Sequence, residues 1–279
     1  IGSQPELDSV PGARAHSVPV KPVADLWQRW RELEGRLRDQ PGNAVHQVSV
    51  VGGGAGSVEL ALGMAHRLAN RNIAFDLWCG AGEILQSYNS GARAAVMHAL
   101  ADLEIAVHLD SRVAEVEDAA IVLADGSRHI YDDLFWCTGA AASAWVAASG
   151  LACDQQGFLK ISDTLQAIDD ADVFGCGDIA VQVNHPRPKA GVFAVRQGPV
   201  LARNIRAHLL GKVLKEHRPQ QRFLSLVSLG GRRAAADKGP FSASGSWVWN
   251  WKNRIDREFM SRFENLPPMD ALPAGDALP

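Results

Sequence analysis

The run Val45-His46-Gln47-Val48-Ser49-Val50-Val51-Gly52-Gly53-Gly54-Ala55-Gly56-Ser57-Val58-Glu59-Leu60-Ala61 carries two patterns in immediate succession. Its first half is apolar and β-branched, the composition of a buried strand. Its second half is a glycine turn that opens a helical spacing at Val58, Leu60, Ala61, Met64, Ala65 and Leu68, lasting to Asn70-Arg71-Asn72. Ile73 to Trp78 then reads as a second strand. Strand, glycine turn, helix and strand fill about 30 residues, the size of a βαβ unit.

A turn of this kind suits a pyrophosphate. The ligand needs backbone N–H donors at close range and a helix N-terminus aimed at it, so the turn must lack Cβ atoms where backbone meets phosphate. Gly52 and Gly54 fill those places, with Gly53 between them. The third glycine of the G-x-G-x-x-G pattern falls on Ser57, small enough to keep helix and strand in contact. An acid at the end of the second strand would bind the adenosine ribose of NAD, and a base would take the extra phosphate of NADP. Cys79 stands there instead, so the choice between NADH and NADPH stays open; its plainer reading is a small buried residue at a strand end.

Outward from this unit, Val23, Leu26, Trp27, Trp30, Leu33 and Leu37 form a helical stripe stopped by Pro41-Gly42-Asn43, and residues 1–22 read as an irregular lead-in. A helix is predicted near Gly91–Leu103. Short strands follow at Ile105–Leu109, Val113–Val116 and Ile121–Leu123, with a hairpin turn at Asp125-Gly126. Leu134–Cys137 reads as a strand, Val173–Asp178 as a strand ending in a turn, and Ala194–Leu210 as a helix. A Trp-rich segment from Trp247 to Phe263 precedes a Pro/Ala/Gly/Asp tail from Pro267 that is expected to be mobile.

With 279 residues and 47% hydrophobic against 21% charged, the chain has the composition of a folded globular protein. A net charge of −3 without any block of like charges gives no footprint for nucleic acid. The four cysteines match neither a disulfide framework nor a metal-ligand spacing, so reduced cysteines in a cytoplasmic protein are expected and no metal site. No stretch reaches the roughly 20 apolar residues of a membrane span, and no signal peptide is visible. The first residue is Ile1 rather than Met, and the chain is expected to begin downstream of its gene's start.

Val50-Val51-Gly52-Gly53-Gly54-Ala55-Gly56-Ser57-Val58-Glu59-Leu60-Ala61 resembles the V-V-G-G-G-x-x-G-V-E-L-A signature of the pyridine nucleotide–disulfide oxidoreductase superfamily, flavoproteins with two dinucleotide-binding domains. Phe135-Trp136-Cys137-Thr138-Gly139 resembles the A-T-G strand that closes their NAD(P) domain. Asp172-Val173-Phe174-Gly175-Cys176-Gly177-Asp178 resembles their second FAD motif, and implies that Gly177 and Asp178 hold the flavin's ribityl chain. Lys189-Ala190-Gly191-Val192-Phe193-Ala194-Val195-Arg196-Gln197-Gly198 is similar to the segment that brings a helix N-terminus to the flavin, which implicates Lys189, Arg196 and Gln197. The resemblance also implies that Glu59 lies near the nicotinamide and flavin, although a solvated helix glutamate is the bland alternative. Ile1-Gly2-Ser3 resembles a strand end of the first FAD half, whose own glycine motif is then expected about 100 residues upstream by that analogy.

The implied fold is α/β: a Rossmann-like NAD(P)-binding domain at 45–141 inserted into an incomplete FAD-binding domain, its remnant at 1–44 and second half at 142–212, with a C-terminal cap and tail at 213–279. The implied activity is hydride transfer from NAD(P)H to FAD and onward to a small-molecule acceptor that is not a disulfide: no C-x-x-C lies between Val45 and Gly139, which excludes the thioredoxin-reductase class, and the tail does not look like the long dimerisation domain that ends the glutathione-reductase class. The tail resembles the type II NADH dehydrogenase group, and more particularly the flavoprotein unit joined to selenide, water dikinase, which would be a partner domain. Type II NADH dehydrogenases carry A-Q-x-A-x-Q near 190 to bind quinone, and Gly191 replaces its first Gln here. Two rivals stand beside this reading: a dinucleotide-binding scaffold without flavin chemistry, and a sulfide:quinone reductase-like enzyme using Cys137 and Cys176. The Trp-rich tail is read as core packing, with a membrane-surface helix or a docking face as alternatives; four Lys or Arg against three Asp or Glu from Trp247 to Glu264 give anionic lipid little to attract.

Overall fold

The computed structural model describes residues 2–39 and 44–264. The chain enters through a short strand β1 (Ser3–Gln4), one helical turn α1 (Ala13–His16), strand β2 (Val18–Pro19) and helix α2 (Val23–Asp39). The βαβ unit follows as β3 (His46–Val51), α3 (Ala55–Arg67) and β4 (Ile73–Trp78), extended by α4 (Ser90–Asp102) and β5 (Ile105–His108). Next come β6 (Val113–Glu117), β7 (Ala120–Leu123), β8 (Arg128–Ile130) and β9 (Asp133–Trp136). The remainder holds β10 (Ala141–Ala142), α5 (Ala144–Ala148), β11 (Leu159–Ile161), a 3₁₀ turn at Gly177–Ile179, β12 (Ala180–Gln182) and α6 (Gly191–Leu209). It closes with β13 (Ser225–Ser228), β14 (Ala234–Lys238), β15 (Phe241–Gly245) and α7 (Ser246–Glu264).

The central sheet is parallel throughout, in the order β2-β9-β3-β4-β5. Period-two alternation sends Val48, Val50, Phe75, Leu77 and Phe135 to one face, where they pack on Val58, Leu62, Val96 and Leu100 of α3 and α4 and on Leu33 of α2. Val51, Trp78, Leu134 and Trp136 point to the other face and meet Val113, Val116 and Ile121 from the antiparallel sheet β6-β7-β8. This layering gives the helix, sheet and sheet order of a Rossmann-like α/β fold. The hairpin between β7 and β8 turns at Asp125-Gly126 as its sequence predicts.

A smaller core under β11 and β12 joins Val146, Leu159, Ile161, Leu165 and Ala180, with Val200 and Leu201 of α6 against it. At the C-terminal end the antiparallel sheet β13-β14-β15 is closed by α7, whose Val248 is fully buried against Ala234 and Ala236.

Several expectations need correction. Residues 1–22 are not simply irregular: β2 becomes the edge strand of the parallel sheet, and β1 pairs with β10. The strand expected over Val173–Asp178 reduces to a single bridge at Phe174, because Gly175 and Gly177 steer the backbone into the 3₁₀ turn and the ladder is made by β12 instead. α6 begins at Gly191, three residues before its apolar pattern, since first-turn residues need no buried face. The helix stop at Pro41-Gly42-Asn43 and the tail from Pro267 lie outside the described residues.

Leu62 is fully buried and Leu209 is 79% exposed on its helix. Leu62→Ala is expected to lower unfolding free energy by about 2–5 kcal/mol, whereas Leu209→Ala shifts it by less than about 0.5 kcal/mol, both read by urea denaturation.

Candidate functional site

The site grows from the end of β3. Gly52 turns the chain at φ +141, a conformation closed to most side chains, and its amide donates to Trp78 O at 2.8 Å. A Cβ on Gly52 would press on Ser57 at 3.1 Å and Cys137 at 3.3 Å, and one on Gly53 would overlap the Cys79 sulfur. Gly54 has open space around it and serves as N-cap of α3 without any side-chain hydrogen bond to the first-turn amides. Those N–H groups keep their donor capacity and the positive end of the helix dipole. Ser57 is 1% exposed and its hydroxyl donates to Gly54 O at 2.8 Å, so it fastens the turn from beneath.

The turn opens into a cleft of about 1910 Å³. Gly52, Gly53, Gly54, Cys79, Lys189 and Arg196 all line it, so six of the singled-out residues meet in one concavity. Asp178, Gly177 and Gln197 line a small adjoining cavity of about 30 Å³, and Lys189 belongs to both walls. Ser57, Gly139 and Glu59 line neither.

Asp178 sits where three distant segments converge. Its Oδ2 accepts from Ser3 Oγ at 3.1 Å and from Lys21 Nζ at 3.3 Å, and its side chain stays 25% exposed. Gln197 Oε1 accepts from Gly177 N at 2.7 Å, which locks the 3₁₀ turn to the first turns of α6. Lys189 Nζ donates to Ala180 O at 2.7 Å and lies 3.7 Å above the Phe158 ring; burial pushes its ammonium pKa down. Ala190 caps α6 without a side-chain bond, leaving a second uncapped helix start on the cleft wall. Gly139, at φ +71, lets the chain after β9 touch residue 6, where Trp136 Nε1 donates to Glu6 O at 2.9 Å; it is a seam between segments rather than part of the cleft.

Cys79 is 3% exposed, with its sulfur turned under Gly53 toward Glu83 O at 3.6 Å, and offers no polar face to a ligand. Glu83 and Arg112 occupy that end of the cleft and escaped the sequence reading. The signal for Arg112 is its place in the short loop between β5 and β6: loops at the carboxyl edge of a parallel sheet surround the ligand. Glu59 reaches away from the glycine turn. Its Oε1 accepts from Ser228 N at 2.7 Å, and burial pushes its carboxyl pKa up. Burial also raises the Cys176 thiol and takes Cys137 up to about 12, so neither is a thiolate nucleophile at neutral pH. Among the described residues no cluster of His, Cys, Asp or Glu is placed to hold a metal ion, and no helix is long and apolar enough to cross a membrane.

A two-face parallel sheet with a glycine turn and an uncapped helix start at its carboxyl edge defines a dinucleotide-binding protein. Residues 1–198 match the model of the pyridine nucleotide-disulphide oxidoreductase family, and the chain belongs to that family. It is 24% identical over 240 residues to the type II NADH:quinone oxidoreductase of Haemophilus influenzae, covering 78% of this chain and 53% of that protein. It is 30% identical over 200 residues to ferroptosis suppressor protein 1 of Xenopus tropicalis, covering 66% of this chain and 51% of that one. The chain therefore spans about half the length of these curated relatives. The fold is similar to Plasmodium falciparum NDH2 in complex with NADH, with TM-score 0.78 at 14% identity over 94% of this chain and 74% of that one. It is also similar to sulfide:quinone oxidoreductase of Aquifex aeolicus, with TM-score 0.72 at 15% identity over 92% of this chain and 67% of that one.

Two outcomes follow from the burial of these groups. Cys137 is half-buried and burial holds the proton on its thiol, so at pH 8 a thiol reagent is expected to label it more slowly in the folded chain than after denaturation, as seen by peptide mass mapping. The raised carboxyl of Glu59 means that the folded state holds this proton more tightly than the unfolded chain, whose carboxyl titrates near 4.5. The ionised group therefore costs stability above its folded pKa, and the cost vanishes below 4.5. Glu59→Gln, which keeps an acceptor for Ser228 N, is expected to be more stable than wild type at pH 7, with the gap closing toward pH 4.5 in urea melts.

Proposed function

We propose that the chain is the dinucleotide-handling part of an FAD-dependent NAD(P)H oxidoreductase that passes electrons to a small-molecule acceptor. The observation that carries this reading is that the uncapped start of α3 and the uncapped start of α6 open onto one cleft. The residues present fit the cofactors. Gly54 leaves a free approach where a phosphate would meet the α3 amides, and Asp178 keeps part of its carboxylate exposed for a ligand hydroxyl.

A bound flavin and nicotinamide would together supply two-electron hydride exchange. The chain's own residues bind and orient. Gly53 and Gly54 present backbone donors, Gly52 shapes the turn through its bond to Trp78 O, and Ser57 holds it from beneath. Asp178, Gly177 and Gln197 would position the flavin, with Lys189, Arg196 and the start of α6 placing positive charge beside it. Glu59, fixed on Ser228, would position the cap over the nicotinamide end. We take 45–141 as the NAD(P) domain, 1–44 and 142–212 as parts of the FAD domain, and 213–279 as cap and tail.

A quinone-type acceptor is supported by the names of the Haemophilus and Aquifex proteins, and opposed by Gly191 standing where a quinone-binding Gln is expected. The raised thiols of Cys137 and Cys176 oppose the sulfide-oxidising alternative. The four free cysteines suit a cytoplasmic setting. A selenide, water dikinase partner rests on the resemblance of the tail alone.

Nicotinamide fluorescence titrations test the proposal: the chain binds NADH or NADPH, and Gly54→Val weakens that binding at least about tenfold while leaving the fold intact, one lost charge-assisted contact being worth about 1.5–3 kcal/mol. Absence of binding, or equal binding by the variant, would overturn it.

A further inference from the structure

The far end of the cleft lies at the carboxyl edges of β4 and β5, where the rule for parallel sheets places the adenosine ribose of a dinucleotide whose pyrophosphate rests on α3. Three observations define its charge. The strand-end position holds Cys79, a buried thiol and no acceptor for a ribose hydroxyl. Glu83, the acid of the cleft wall there, is 3.1 Å from the Arg93 guanidinium and so is already paired. Arg112 is exposed, lines the cleft and has no hydrogen-bond or ion-pair partner for its side chain among the described residues. It is also in the right place: a Cβ on Gly80 would lie 3.5 Å from both Cα and Cβ of Arg112, so the guanidinium stem rises against the residue that follows Cys79. Asp110, the other nearby acid, lies against Gly82 and does not line the cleft.

A free guanidinium beside a neutralised carboxylate is suited to a dianionic phosphate, which the planar fork of arginine can bind with two parallel hydrogen bonds. A bare 2′-hydroxyl gives that fork only one neutral acceptor. We propose that Arg112 makes the adenosine end of the cleft select a 2′-phosphorylated dinucleotide, NADPH over NADH. The inference rests on the dinucleotide-binding reading above and specifies the substrate of that same site.

Calorimetric titration of the 279-residue chain with 2′,5′-ADP and with 5′-AMP isolates this end from the nicotinamide and from turnover. The wild type is expected to bind 2′,5′-ADP at least about tenfold more tightly than 5′-AMP, the size of one charge-assisted phosphate contact. Arg112→Ala should bring the ratio close to one, and Arg112→Lys should retain part of it as a point charge. The side chain is exposed, so neither variant threatens folding. The preference should also shrink as salt rises. Equal or tighter binding of 5′-AMP by the wild type, or an unchanged ratio in Arg112→Ala, overturns the role of Arg112 while leaving dinucleotide binding intact. Failure of the folded wild type to bind either nucleotide or either intact dinucleotide overturns both readings together.

Discussion

The backbone of the glycine turn passes so close to the end of β4 that a side chain on Gly53 would occupy the space of the Cys79 sulfur. That close approach governs the rest of the molecule. It allows Gly53 O to accept from Leu85 N at 2.7 Å and Gly52 N to reach Trp78 O, so the turn is stitched to both the strand and the loop beyond it. With the turn held there, α3 must start at the sheet's carboxyl edge and run back along the face where Val58, Ala61, Leu62 and Ala65 bury themselves. The hydrophobic layer and the exposed helix start are thus two consequences of one geometry. Burial fixes the helix axis, and the uncapped amides it leaves behind are what a phosphate can use.

Around this unit the chain is tied together by polar bridges between segments far apart in sequence. Ser3, Lys21 and Asp178 join the lead-in to the 3₁₀ turn that precedes β12. Glu59 of α3 joins the cap through Ser228, and Asn89, the N-cap of α4, donates from its backbone amide to Asp237 Oδ1 at 3.1 Å. These links hold α6, the cap and the glycine turn around a common space while leaving that space open. Burial raises the Glu59 carboxyl, yet the Ser228 amide gives it a partner, which is the arrangement expected of a group that positions a neighbouring element.

The βαβ unit was legible because its signals are local: a β-branched run, three glycines and a 3.6-residue period follow one another without interruption. The seams were hidden because their causes are long-range. Val18 and Pro19 carry no strand pattern of their own and become an edge strand only when β9 is in place to pair with them. β13, β14 and β15 are short and rich in Ala and Ser, and the apolar face that α7 covers is visible only once the sheet exists. The site divides the same way. Gly52, Gly54 and Asp178 stand in recognisable motifs, whereas Arg112 enters the cleft only because β5 ends beside β4. Cys79 stands at the strand-end position by its place in the sequence, and its buried thiol fills the space that the missing side chain of Gly53 leaves.

The claim on which the account depends is that the amides at the start of α3 are the phosphate-binding donors. Hydrogen exchange of the backbone amides of residues 53–57, with and without saturating NADPH, examines it directly. Exchange is expected to slow at these five positions when the nucleotide is bound. Unchanged exchange there, in a chain shown by titration to be saturated, would contradict it.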